Sequence, residues 1–191
     1  ALDAEGIALY VWRIHRKIGM SGGLFTNQLL REIGEEITEE RRERLRQAHA
    51  EAYRTHSKSV VPLPGARELL DTLTRENLAW AIATSGRMET ARNNLDRLGV
   101  DPEEVAVVTR DAVTYAKPEP DLFLHAADAI SVAPERCAVI EDSDAGVEAA
   151  RRAGMRVFGY DPHGAIGAHP RAALTRFSDY SRLPDLLTAG T

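Results

Sequence analysis

The sequence predicts an α/β protein, a doubly wound parallel sheet with helices on both faces, preceded by an all-helical segment. Three observations predict it. From residue 64 onward, apolar runs of strand length alternate with helical stretches, the pattern of a parallel sheet joined by crossover helices. Before residue 58 nothing reads as a strand. Polar groups close three of the later elements: Thr84-Ser85-Gly86, Lys117 before Pro118, and Glu141-Asp142. Ligands of doubly wound sheets sit at the carboxyl edge, where such groups gather.

The elements follow in order. Ala1 to Gly6 resembles the last turn of a helix with a C-cap glycine, and a short helix is expected from Leu24 to Ile33. Thr38 reads as the N-cap of a helix over Glu39 to Tyr53, with Leu45, Ala48, Ala52 and Tyr53 on one stripe. His49 and His56 lie seven apart on that helix and are expected to be solvated. Val60 to Gly65 has the prolines and glycine of a linker into a helix, Ala66 to Arg75. A strand at Leu78 to Ala83 leads to a helix from Arg87 to Leu98. Val105 to Val108 is the next strand, and Lys117-Pro118-Glu119-Pro120 opens a helix from Asp121 to Ile130. Cys137 to Ile140 is a strand, and Val147 to Ala153 lies on a helix. Strands follow at Arg156 to Tyr160 and, more weakly, Leu174 to Phe177, with a short helix at Leu183 to Leu187. The expected division is a helical domain over residues 1–58 and an α/β core over 59–191.

Composition narrows the function. The chain has 191 residues, 43% hydrophobic and 28% charged, which is ordinary for a soluble globular protein. Its net charge of −5, with no basic tract, argues against nucleic acid as a partner. An acidic protein that binds an anion needs cations placed locally. One cysteine, Cys137, excludes a disulfide framework and points to a reducing compartment, the cytoplasm. No stretch is long and apolar enough for a membrane partner, and a monomer or weak homodimer is expected.

Each polar strand end has a chemical and a plainer reading. Thr84-Ser85-Gly86 offers a hydroxyl and helix N-terminal amides, a cradle for phosphate, or it is an ordinary N-cap. Lys117 precedes a proline, which biases its backbone away from helix and presents its ammonium from an extended segment. The alternative is a surface lysine. Glu141 and Asp142 repel each other unless a cation lies between them, and Mg²⁺ suits such oxygen ligands. Otherwise they form a solvated turn with Asp144 as an N-cap. Hydroxyl, lysine and acidic pair, in that order, suit phosphoryl transfer, where catalysis is positioning plus charge neutralisation. Ser85 is not in a Gly-x-Ser-x-Gly elbow, which disfavours an α/β-hydrolase.

Ala81-Ile82-Ala83-Thr84-Ser85-Gly86, Lys117-Pro118-Glu119-Pro120-Asp121 and Val139 to Gly146 resemble the motifs of the haloacid dehalogenase (HAD) superfamily. The nearest branch is that of capped phosphatases and β-phosphoglucomutase-like proteins. The resemblance implies a Rossmann-like core with a small helical cap domain over residues 1–58. It implies catalytic roles for Thr84 and Lys117, which would hold the phosphoryl group, and substrate contacts from Ser85, Gly86 and Lys117. It also implies Mg²⁺ bound by Glu141 and Asp142, and a small phosphorylated metabolite as substrate. The segment Lys17 to Gly22 resembles the cap loop, and Ile18 and Gly22 stand where mutases of the family carry basic residues. Hydrolysis is therefore expected over a phosphosugar mutase reaction.

The family's first motif, Asp-x-Asp-x-Thr/Val, does not occur in this chain. Its strand is central in the family's sheet, between the strand ending at Thr84 and the strand ending at Asp142. The expectation is an upstream segment of about 20 residues that holds it and the nucleophilic aspartate. The alternative is a catalytically dead, phosphate-binding relative.

Overall fold

The computed structural model describes residues 38–162, 166 and 174–184. The expectations for the cap loop, for Ile18 and Gly22, and for the helices before residue 38 lie outside the described residues. So does the end of the helix expected from Leu183, of which Leu183 and Pro184 are helical.

The first described helix, α1, spans Glu39–His56, and Thr38 caps it through a bond from the Arg41 amide to its hydroxyl. Leu45 is buried, while Ala48, Ala52 and Tyr53 are half-buried, so the expected stripe is the packed one. His49 and His56 are exposed, as expected. Helix α2 spans Ala66–Arg75 behind Gly65, whose φ of 82° is the left-handed region that favours glycine. Then come β1 (Ile82–Ala83), α3 (Met88–Leu98), β2 (Val107–Val108) and α4 (Asp121–Ala129). The chain continues through β3 (Ala138–Glu141), α5 (Asp144–Arg152), β4 (Arg156–Tyr160) and β5 (Thr175–Phe177).

Every strand pair is parallel, and the described strands form two sheets, β1-β2 and β3-β4-β5. Register places Ala83 beside Val108 and Glu141 beside Gly159. Both faces of the larger sheet are covered, and β4 shows why. Successive strand residues point to opposite faces. Val157 packs with Val139, Val147 and Ala150 on one side. Phe158, its neighbour, packs with Leu69, Phe177 and Leu183 on the other. Full burial of a side chain such as Phe158 contributes about 1.5–3 kcal/mol. Ala83, at the end of β1, packs against the Val139–Val147 cluster and so ties the smaller sheet to the larger.

The strands at Leu78 to Ala83 and Val105 to Val108 are shorter than their apolar runs. Leu78 is exposed, and the Trp80 indole is turned to the Thr74 hydroxyl at 3.1 Å. Helix α3 grips the chain leaving α1. Asn94 donates to the Tyr53 hydroxyl at 2.7 Å, and the Arg97 guanidinium donates to the carbonyls of Val60 and Lys58 at 2.5 and 2.9 Å. Arg97→Ala removes two charge-assisted bonds and should lower stability by about 1–2 kcal/mol in urea unfolding. An unchanged midpoint would mean that this grip is energetically idle.

Candidate active site

Strand β3 ends at Glu141, and Asp142 follows it directly. Glu141 turns inward and is 8% exposed; Asp142, the next residue, faces solvent. The Glu141 carboxylate is engaged at both oxygens. Its Oε1 lies 2.5 Å from the Lys117 ammonium. Its Oε2 accepts the Asp142 amide at 2.7 Å, the Ser143 amide at 2.8 Å and the Ser143 hydroxyl at 2.9 Å.

Ser143, not Asp144, is the N-cap of α5: its hydroxyl accepts the Gly146 amide at 3.1 Å. Asp144 opens the first helical turn, where an anionic side chain complements the helix dipole. Gly146 lies inside the helix because the carboxylate lies under it. A Cβ there would stand 2.0 Å from the Glu141 Cδ.

Lys117 is 4% exposed, so the surface-lysine alternative does not hold. The Lys117–Pro118 peptide is cis. Its ammonium sits between the Glu141 carboxylate and the Phe123 ring of α4, whose centroid is 4.6 Å away. Glu119, two residues on, pairs with Arg152 of α5 at 2.8 Å and ties this segment to the same helix.

Thr84, Ser85 and Gly86 follow β1, in the other sheet. The Thr84 hydroxyl accepts the Gly86 amide at 3.1 Å, and the Gly86 carbonyl accepts the Arg110 amide at 3.0 Å. The helix begins at Met88 rather than Arg87, and its amide is capped by Asp111 at 3.3 Å. Thr84 therefore shapes its own turn instead of capping the helix. The structure groups Lys117, Glu141 and Asp142 directly, and places Thr84, Ser85 and Gly86 at the carboxyl end of the adjoining sheet.

Electrostatics follow the geometry. Burial works to raise the Glu141 pKa, but the Lys117 charge and the Ser143 donors outweigh it and hold the carboxyl below its usual range. Partial burial and then the Glu141 charge push the Asp142 carboxyl above its usual range. Tyr180 was not singled out by its sequence. Its ring packs on Tyr160 at 4.9 Å and Phe177 at 5.3 Å, and burial with the Asp142 charge pushes the phenol up to about 12. The contact is long-range and no local pattern announces it. Ser143 and Gly146 stood inside the motif, but their roles depend on where Glu141 points.

As a magnesium site the donor set fits in part. Asp142 is exposed and carries an anion that a cation would relieve, whereas both Glu141 oxygens are spoken for. Among the described residues no three His, Cys, Asp or Glu side chains gather as a metal cluster.

Comparison with known proteins settles the family. A haloacid dehalogenase-like hydrolase model matches residues 5–154. The chain belongs to the haloacid dehalogenase-like hydrolases. A crystal structure of one hydrolase, from Pseudomonas syringae, is 44% identical with a TM-score of 0.87, covering 100% of this chain and 88% of that one. Hexitol phosphatase A of Escherichia coli is 41% identical over 109 residues, 57% of this chain and 49% of the relative. β-Phosphoglucomutase of Bacillus subtilis is 40% identical over 97 residues, 51% of this chain and 42% of the relative. The chain thus spans about half the length of the curated relatives it matches. As a haloacid dehalogenase-like hydrolase it has the parallel, helix-covered core its sequence predicts. No helix among its described residues is long and apolar enough to cross a membrane.

Proposed function

We propose that this protein is a Mg²⁺-dependent phosphatase acting on a small phosphorylated metabolite. The observation that carries the reading is the buried Lys117 ammonium, held at the carboxyl end of β3 by the Glu141 carboxylate. A fixed cation there neutralises phosphoryl oxygens without reorganising. Thr84 and the turn through Ser85 and Gly86, at the carboxyl end of the adjoining sheet, would meet the phosphoryl group with a hydroxyl and backbone amides once the bond from the Gly86 amide to Thr84 yields. Asp142 is the carboxylate that would hold Mg²⁺, which when bound adds further neutralisation of phosphoryl charge.

The nucleophile in this reading is an aspartate upstream of Ala1, on a strand between β1 and β3. Its carboxylate attacks phosphorus as the P–O ester bond breaks, the leaving oxygen takes a proton from the second aspartate of the Asp-x-Asp motif, and water then hydrolyses the aspartyl-phosphate to free phosphate and the original carboxylate. The support is internal: among the described residues β1 and β3 belong to separate sheets, and a strand between them would give each a second partner. The domain division at residues 58 and 59, with a helical cap over the site, is part of the same proposal, as is a reducing, cytoplasmic setting.

A panel of phosphorylated metabolites, assayed for released phosphate with and without Mg²⁺, tests the function. Metal-dependent release is expected; no turnover on any member would favour the phosphate-binding relative. The second reading, a phosphosugar mutase, draws on the likeness to the B. subtilis mutase. Hydrolysis is expected to win, because Ile18 and Gly22 supply no second phosphate clamp. Conversion of β-glucose 1-phosphate to glucose 6-phosphate faster than hydrolysis would reverse that order.

Asp142→Asn should abolish most activity at limiting Mg²⁺ while leaving metal-free stability equal or slightly higher. The asparagine removes the repulsion that raises the Asp142 pKa. Full activity at limiting Mg²⁺ would remove Asp142 from the metal site.

A further inference from the structure

The loop that delivers Lys117 also carries an aromatic side chain, outside the Lys117–Asp121 motif. We propose that Tyr115 is a specificity-determining residue whose ring meets the body of the substrate, and that this body is uncharged, aliphatic and hydroxylated. The inference rests on the function proposed above and names the class of leaving group.

Three observations carry it. The first is place. The loop from the carboxyl end of β2 to α4 covers residues 109–120 and brings Lys117 to the Glu141 carboxylate. Two residues of chain span at most about 7 Å, so Tyr115 stands within a small substrate's length of Lys117. The second is bracing. Thr109, Val113, Ala116 and Lys117 are buried. The Arg110 guanidinium donates to the carbonyls of Val113 at 2.5 Å and Thr114 at 3.3 Å, and the Arg110 amide donates to the Gly86 carbonyl at 3.0 Å. Beyond Tyr115, the Glu119 amide donates to the Ala116 carbonyl at 3.0 Å. The third is the side chain itself. Tyr115 is 62% exposed between these anchors, and among the described residues its ring stacks on no other and its hydroxyl has no hydrogen-bond partner. Single exposed apolar side chains are ordinary. This one is held out from a braced backbone beside the lysine, and a tyrosine, with two side-chain torsions, loses little entropy when it makes a contact.

The chemistry of the substrate body follows. A phenol offers an apolar face and one hydrogen-bonding edge. Residues 84–87 and 109–120 hold two arginines, and both are committed: Arg110 to two carbonyls of its own loop, Arg87 to Asp111 at 3.3 Å. Neither is offered to a second anionic group. A face of C–H bonds edged with hydroxyls, as in a sugar or polyol monophosphate, suits the ring and its hydroxyl together.

The test is steady-state kinetics on the full-length protein with Mg²⁺. The probes are the sugar and polyol monophosphates of the metabolite panel, the nucleoside monophosphates, and methyl phosphate, an ester with almost no body. Tyr115→Ala should lower kcat/KM for the best sugar or polyol ester at least about fivefold more than it lowers that for methyl phosphate. The loss should fall mainly on KM, because contact with the unreacting body is the same in ground and transition states. Tyr115→Phe, which keeps the ring, should bring that loss to within about threefold of the parent. Equal loss on both kinds of ester would mean that Tyr115 shapes the loop without meeting the body, and would overturn the inference. An unaltered preference would overturn it too, with the phosphatase reading intact. A loss confined to the nucleoside monophosphates would overturn the aliphatic, hydroxylated class. A parent that releases phosphate from no probe would overturn the proposed function, and this inference with it.

Discussion

Gly146→Ala should lower stability by about 3 kcal/mol or more, and activity should fall with it. The added methyl would meet the Glu141 Cδ at 2.0 Å and its Oε1 at 2.1 Å. Neither partner can yield cheaply. Glu141 is held by Lys117 and Ser143, and the helix turn is held by the Ser143 cap. The sign makes the test sharp. In an ordinary helix interior the same change adds up to about 1 kcal/mol, because alanine is the better helix former. Urea unfolding with a midpoint equal to or above the parent's would show that the carboxylate does not occupy the space beside Gly146.

That glycine also marks where sequence reasoning fell short. A glycine after an acidic pair suggests a turn, with the helix beginning at Val147, whereas α5 begins at Asp144 and takes Gly146 into its first turn. Propensity was outweighed by a close approach that only the folded carboxylate reveals. The acidic pair was legible as a strand end, but not that Glu141 would be buried and Asp142 exposed. The strand runs through Glu141 rather than stopping at Ile140, and Lys117 with the Ser143 donors holds that carboxylate inside.

The helices and longer strands were legible because their signals are local. Thr38 caps α1, Ala66–Arg75 is α2 and Arg156–Tyr160 is β4, each where residue type and period put it. β1 and β2 were not legible in length. An apolar run becomes a strand only where a neighbour pairs with it, and among the described residues these two pair just with each other. Lys117 and Glu141 are 24 residues apart in sequence. Their separate motifs were visible, but their contact is a product of the crossover that brings α4 beside β3.

Lys117→Ala should slow phosphate release by about 10²–10³-fold or more and lower stability by about 3–5 kcal/mol at neutral pH. Two losses coincide. The site loses the cation placed for the phosphoryl oxygens, and Glu141 is left as an unpaired buried charge. Their pH dependences separate them. Glu141 has its pKa held below the usual glutamate value by Lys117 against the cost of burial. The stabilisation from the pair is therefore fully present above the unfolded value of about 4.3, and it is lost as pH falls through the lower folded value. In the variant the carboxylate gains a proton more readily, since burial now acts with less opposition. The stability gap between parent and variant should be widest near neutrality and narrow on acidification. Urea unfolding of both proteins across that range gives the comparison. A gap independent of pH would mean that Lys117 stabilises the fold through its contact with Phe123 rather than through the charge of Glu141. Turnover within a few-fold of the parent would show that the ammonium does not meet the substrate.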